Sequence, residues 1–127
     1  MELAPRRCAD AVILCPAGRI DHTVSPDFKA ALAPHLDRCG AERDRVVLDL
    51  SGVEYISSAG LRVLMLAAKQ VKAQGGTMVV AALGPIVREI FEISRFHLVL
   101  DVYPTTRDAL AAVSPAALAA FSQTGVG

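Results

Sequence analysis

Tryptophan is absent from this sequence, and aromatic residues of all kinds make up only 5% of it. The core must therefore come from Val, Ile, Leu and Ala, which is feasible because 53% of the residues are hydrophobic. That fraction also excludes disorder over most of the chain. Excess charge is missing as well: 13 Lys and Arg balance 13 Asp and Glu. No basic cluster exceeds Arg6-Arg7, so the electrostatic footprint of a nucleic-acid binder is not there. Cysteine is scarce, and Cys8, Cys15 and Cys39 form neither an even set nor a CxxC pair. This excludes a disulfide framework and a zinc site, and reduced, mostly buried thiols are expected. No apolar stretch approaches the ~20 residues that span a bilayer. No signal-type apolar core follows residues 1–7 either, so a cytoplasmic protein with no membrane contact is expected. The 127 residues suit one domain.

Familiar catalytic patterns are also lacking. Neither GxxxxGKS/T nor GxGxxG occurs, which removes the usual phosphate and dinucleotide loops. His22, His35 and His97 have no ligand spacing and no paired Cys or carboxylate, so no metal and no cofactor are expected. A phosphate-accepting receiver domain would need an acidic pair after its first strand, and AVILCPAGRI offers none. The chain is expected not to be an enzyme.

What is present is an alternation. Residues 11–17 form a short apolar run that reads as a strand, with Pro16 near its end or on an edge. Residues 18–22 follow as a loop or strand end. Ser25-Pro26-Asp27 signals a helix start, with Ser25 as cap and Pro26 at the first helical position. Phe28, Ala31, Leu32, His35 and Leu36 then recur at helical spacing until Cys39-Gly40. Residues 45–50 read as a buried strand, and residues 53–56 as a connector. Ser57-Ser58-Ala59-Gly60 opens a long helix ended by Gly75-Gly76, with its core stripe expected at Leu61, Leu64, Met65, Ala68 and Val71. Residues 77–83 give a third strand. Pro85 starts a helix carrying Ile86, Ile90 and Ile93 on one face, beside Val87 and Phe91. Residues 97–102 read as a last short strand, and Thr105 or Thr106 as the cap of a last helix. Residues 115–127 are Ala-rich and expected to fray, giving a domain over 1–113 and a tail over 114–127. The alternation implies an α/β fold, a central mixed sheet of about four to five strands with about four packed helices. Unbroken runs such as Val46-Val47-Leu48 imply strands buried on both faces.

The most informative segment is Tyr55-Ile56-Ser57-Ser58-Ala59-Gly60-Leu61, because functional loops of open α/β folds sit at the carboxyl ends of strands. Its small side chains would let another protein reach a hydroxyl. A phosphate there would be tolerated by the free N–H groups of the helix start. It would also add roughly −1.5 to −2 charge to any docking face. On spacing alone, a Ser-Ser pair at a helix start is most often an ordinary N-cap.

Residues 46–80 resemble the core of the STAS domain: VVLDLSGVEYI, the SSAGL loop, the long helix, the Gly-Gly break and TMVV. The resemblance continues through GPIVREIFEIS, and Gly18-Arg19-Ile20-Asp21 resembles the family's Gly-x-Leu/Ile-Asp turn. It implies the STAS fold and, for stand-alone members, an anti-sigma factor antagonist of bacterial transcription control. Such a protein works by partner switching. Its implied partners are an anti-sigma factor that is also a serine kinase of the GHKL ATPase type, and a PP2C-type phosphatase. The free protein is expected to be a monomer. The family loop commonly reads Asp, two Ser or Thr, then Gly-Leu, with the first hydroxyl after Asp as acceptor. That implies phosphorylation of Ser58, with Ser57 as its rival because it occupies the usual Asp position; Ala59 also departs from the pattern. The implied partner-binding residues are Asp21, His22, Ser57, Ser58, Ala59, Gly60, Leu61 and Arg62. Asp21 alternatively only stabilises its turn, and Arg62 alternatively belongs to a solvated face. The departure at Ser57 keeps a second implication open, a non-phosphorylated docking subunit of a transport or lipid-trafficking ATPase complex.

Overall fold

The computed structural model describes residues 1–41 and 43–124. A five-stranded mixed sheet runs in the order β1 (Arg6–Cys8), β2 (Ala11–Leu14), β4 (Arg45–Asp49), β6 (Met78–Ala81), β7 (Val102–Tyr103). β1 is antiparallel to β2, and the other pairings are parallel. A separate two-stranded parallel sheet joins β3 (Gly18–Ile20) to β5 (Val53–Ile56). The helices are α1 (Ser25–Asp37), α2 (Ser58–Ala73), α3 (Pro85–Ile93), α4 (Thr106–Val113) and α5 (Pro115–Thr124).

The apolar strands alternate between two cores. Val12, Leu14, Val46, Leu48 and Val80 face one side, where Phe28 and Leu32 of α1, Leu64 of α2 and Phe91 of α3 cover them. Ala11, Ile13, Val47, Val79 and Ala81 face the other, under Ala109 and Leu110 of α4 and Ala117 of α5. Burial on both faces is why the strands carry no polar alternation. Cys8 and Cys39 are buried and Cys15 is partly so; all three thiols are free. Burial pushes the Cys15 and Cys39 thiols up, away from the reactive thiolate.

Besides residues 53–56, expected as a connector and found as β5, four local expectations change. First, residues 115–124, expected to fray, form α5. The Ser114 hydroxyl accepts from Ala117 N at 3.1 Å and donates to Asp10, which also pairs with Arg45. Alanines at the contact let the helix lie close to the sheet, and the Arg6 guanidinium stacks over Phe121. Residues 125–127 lie outside the described residues. Second, residues 97–102 are not one strand. Arg95 takes a left-handed conformation, φ 54°, and Phe96 turns inward onto Phe91 with ring centroids 5.1 Å apart. A 3₁₀ turn over Phe96–Leu98 follows, so only Val102–Tyr103 reach the sheet as β7.

Third, Ser25 is not the side-chain cap of α1. It is the first helical residue and is buried, donating its hydroxyl to Asp21 O at 2.6 Å. The Asp21 carboxylate does the capping, Oδ1 accepting from Thr23 N at 3.0 Å and Val24 N at 3.1 Å. Asp21→Ala is expected to cost about 1 kcal/mol, as loss of an Asp cap does, read as a lower urea midpoint with an unchanged slope. Fourth, the stripe of α2 is broader than expected: Leu64 and Val71 are buried and Leu61 and Ala68 pack against the core, but Met65 does not. Gly60, Val63, Leu64, Ala67 and Val71 face inward, whereas Met65 and Leu66 are 38% and 42% exposed. The cause is Gly60, which brings α2 against Ile20 and Ile56.

Candidate functional site

The small sheet assembles the site. Ile20 and Ile56 are partners in parallel register, so the chain leaves both strands at the same end. Asp21 and His22 follow one strand, Ser57 and Ser58 the other. Ser57 N donates to Ile20 O at 2.9 Å, fixing the two exits side by side. The turn and the SSAGL loop, more than thirty positions apart in the sequence, thereby become neighbours. Gly60 completes the joint: an added Cβ would stand 2.7 Å from Ile56 Cγ1 and 3.0 Å from Ile20 Cγ2.

The two adjacent hydroxyls have different surroundings. Ser57 is the N-cap of α2, with extended backbone and its Oγ accepting from Gly60 N at 3.2 Å. Ser58, the first helical residue, is exposed, and no protein group holds its hydroxyl among the described hydrogen bonds. Of the sequence-predicted residues, His22 and Arg62 are exposed, Ala59 and Leu61 half-buried, and Gly60 buried. Asp21 is half-buried and has the capping role described above.

Ser58, Ala59, Leu61 and Arg62 line one wall of an open groove of about 470 Å³, completed by Met65, Ser94 and Phe96. Sequence reasoning missed the last three. Helical spacing puts Met65 in the core stripe, and Ser94 and Phe96 reach the groove only through the left-handed turn at Arg95. It also missed the Arg19 guanidinium stacked 4.5 Å over the Tyr55 ring, which braces the outer face of the small sheet. Among the described residues, no group of three or more His, Cys, Asp and Glu could hold a metal. No helix among them is long and apolar enough to cross a membrane. The site is thus a pair of serines at a helix start, one engaged as the cap and one exposed, beside the Asp21 turn and a shallow groove.

The STAS domain family model matches residues 4–109, and the chain belongs to that family. Over 120 residues it is 42% identical to a Bordetella bronchiseptica protein named "Putative anti-sigma factor antagonist BtrV", covering 93% of this chain and 98% of that one. Among solved structures, an anti-sigma factor antagonist from Mycobacterium paratuberculosis superimposes with a TM-score of 0.77 at 26% identity, covering 86% of this chain and 90% of that one. A crystal structure of a Thermotoga maritima protein gives a TM-score of 0.79 at 22% identity, covering 87% and 93%, and shows the shared fold.

Proposed function

We propose that this chain is an anti-sigma factor antagonist that switches partners through Ser58. Unphosphorylated, it binds an anti-sigma factor that is also a serine kinase of the GHKL type, using the Asp21-His22 turn, the loop from Ser57 to Leu61, and Arg62. Phosphorylation of Ser58 releases that partner, and a PP2C-type phosphatase restores binding. The family, and a relative of that name aligned over nearly its whole length, support the role.

One observation carries the choice of acceptor. The Ser57 hydroxyl is engaged at the helix cap, whereas the Ser58 hydroxyl is exposed on the first turn. A kinase must draw its acceptor into its own active site. Taking Ser57 would break the cap, at a cost of about 1 kcal/mol; taking Ser58 breaks no side-chain hydrogen bond among the described residues. The test is incubation with the cognate kinase and Mg-ATP followed by fragment-ion mapping. Phosphate is expected on Ser58 in the native protein and on neither serine in Ser58→Ala. Phosphate on Ser57 alone would overturn the acceptor. Absence of uptake, with the kinase active on itself or another substrate, would favour the docking-subunit reading.

A further inference from the structure

Resting on the assignment of Ser58 as acceptor, we propose that Arg62 is the intramolecular partner of the Ser58 phosphate. Phosphorylation would then withdraw a cation from the docking face as well as placing an anion on it.

The helix α2 carries charge of one sign only. Its charged residues are Arg62, Lys69 and Lys72, all basic and all exposed, in a chain whose formal net charge is zero. No acid on its own helix can therefore engage Arg62. The ion pairs among the described residues are Arg7 with Asp44 and Arg45 with Asp10, so Arg62 is unpaired there. The groove that Arg62 shares with Ser58 has no acidic lining residue; its far wall is Ser94 and Phe96, with exposed Arg95 between them. On neighbouring segments, Asp21 has Oδ1 committed to Thr23 N and Val24 N, and Glu92 lines two other grooves rather than this one.

Ser58 and Arg62 stand four residues apart on one helix and line the same groove. Such pairs have Cβ atoms about 5–6 Å apart, and an anion N-terminal to the cation is the stronger order. A phosphate of roughly −1.5 to −2 charge offers oxygens that a guanidinium can bind through two parallel N–H donors. Lys69 lies about 16 Å along the axis from Ser58 at the helical rise per residue, out of reach of the phosphate. Arg95, exposed and between Ser94 and Phe96 in the sequence, is the rival donor. A partner carboxylate paired with Arg62 in the unmodified complex would lose its cation and meet a phosphate in one event.

The experiment needs no kinase. Phosphoserine is installed at position 58 by codon suppression, and its ³¹P signal is followed against pH in the otherwise native chain and in Arg62→Gln, Arg62→Lys, Lys69→Gln and Arg95→Gln. Folding of each variant is checked by its amide spectrum. The second ionisation of the phosphate is expected to move to higher pH in Arg62→Gln, to move less in Arg62→Lys, and to stay in place in Lys69→Gln and Arg95→Gln. Identical titrations for the native chain and Arg62→Gln would overturn the proposal, as would a shift produced by Arg95→Gln in place of Arg62→Gln. A kinase that ignores Ser58 would instead contradict the functional reading while leaving this titration unchanged.

Discussion

Gly60→Ala is expected to destabilise the protein by about 1–3 kcal/mol, the usual cost of overpacking a tight site, and to weaken anti-sigma factor binding in the molecules that still fold. Helix propensity argues the other way, since alanine gains about 1 kcal/mol over glycine in a helix interior. The local distances decide the sign. The new methyl would lie 2.7 Å from Ile56 Cγ1, 3.0 Å from Ile20 Cγ2 and 3.1 Å from Ile20 O. Ile56 Cγ1 is an inner atom of a buried side chain, and Ile20 O already accepts from Ser57 N at 2.9 Å. Relief therefore requires α2 to move away from the small sheet, which separates the SSAGL loop from the Asp21 turn. Urea unfolding reads the first effect, and titration calorimetry with the anti-sigma factor reads the second. A midpoint above that of the native protein would show that propensity outweighs the clash and that the joint is looser than described.

A charge at Ser58 is expected to act on binding and not on folding. Ser58→Asp should weaken the complex at least 10-fold, about 1.4 kcal/mol or more, while Ser58→Ala keeps the affinity of the native protein. The side chain is exposed at the first helical position, so neither change opens a cavity or strips a buried partner. Stability should stay within about 0.5 kcal/mol, as for surface sites lacking such features. At an interface the same carboxylate is desolvated or set against like charge, and such juxtapositions cost several kcal/mol. The neighbouring residue should behave in the opposite way. Ser57→Ala removes the acceptor of Gly60 N and should lower stability, a contrast that titration calorimetry and thermal melts on the same variants resolve.

The large sheet and its flanking helices were legible because their signals are local. Val46-Val47-Leu48 announces a strand covered on both faces, Pro85 a helix start, and Thr105 a cap, which it provides to Asp108 N at 3.0 Å. The loop bearing Ser58 was legible for the same reason. The sheet of β3 and β5 was not: strands of three and four residues with mixed polarity carry no period, and their pairing joins segments distant in sequence. This hid the site's construction, since that pairing places Asp21 beside Ser57. The exposure of Met65 was hidden because Met65 and Leu66 are as apolar as the residues inside; only the close approach at Gly60 chooses between the faces. The helix α5 escaped because an alanine face looks weak until a sheet lies against it. Ala117 is fully buried there, and the anchoring Ser114 to Asp10 bond spans nearly the whole chain.

The central claim is that one exposed hydroxyl controls docking without disturbing the fold, and a single pair of samples tests it. The unmodified protein and the protein carrying phosphoserine at 58 are titrated with the cognate anti-sigma factor, and both are melted in the same buffer. Affinities at least 10-fold apart, about 1.4 kcal/mol, are expected, with a melting midpoint no lower for the phosphorylated protein than for the unmodified one. Equal affinities, or a loss of affinity accompanied by unfolding of the phosphorylated protein, would contradict the claim.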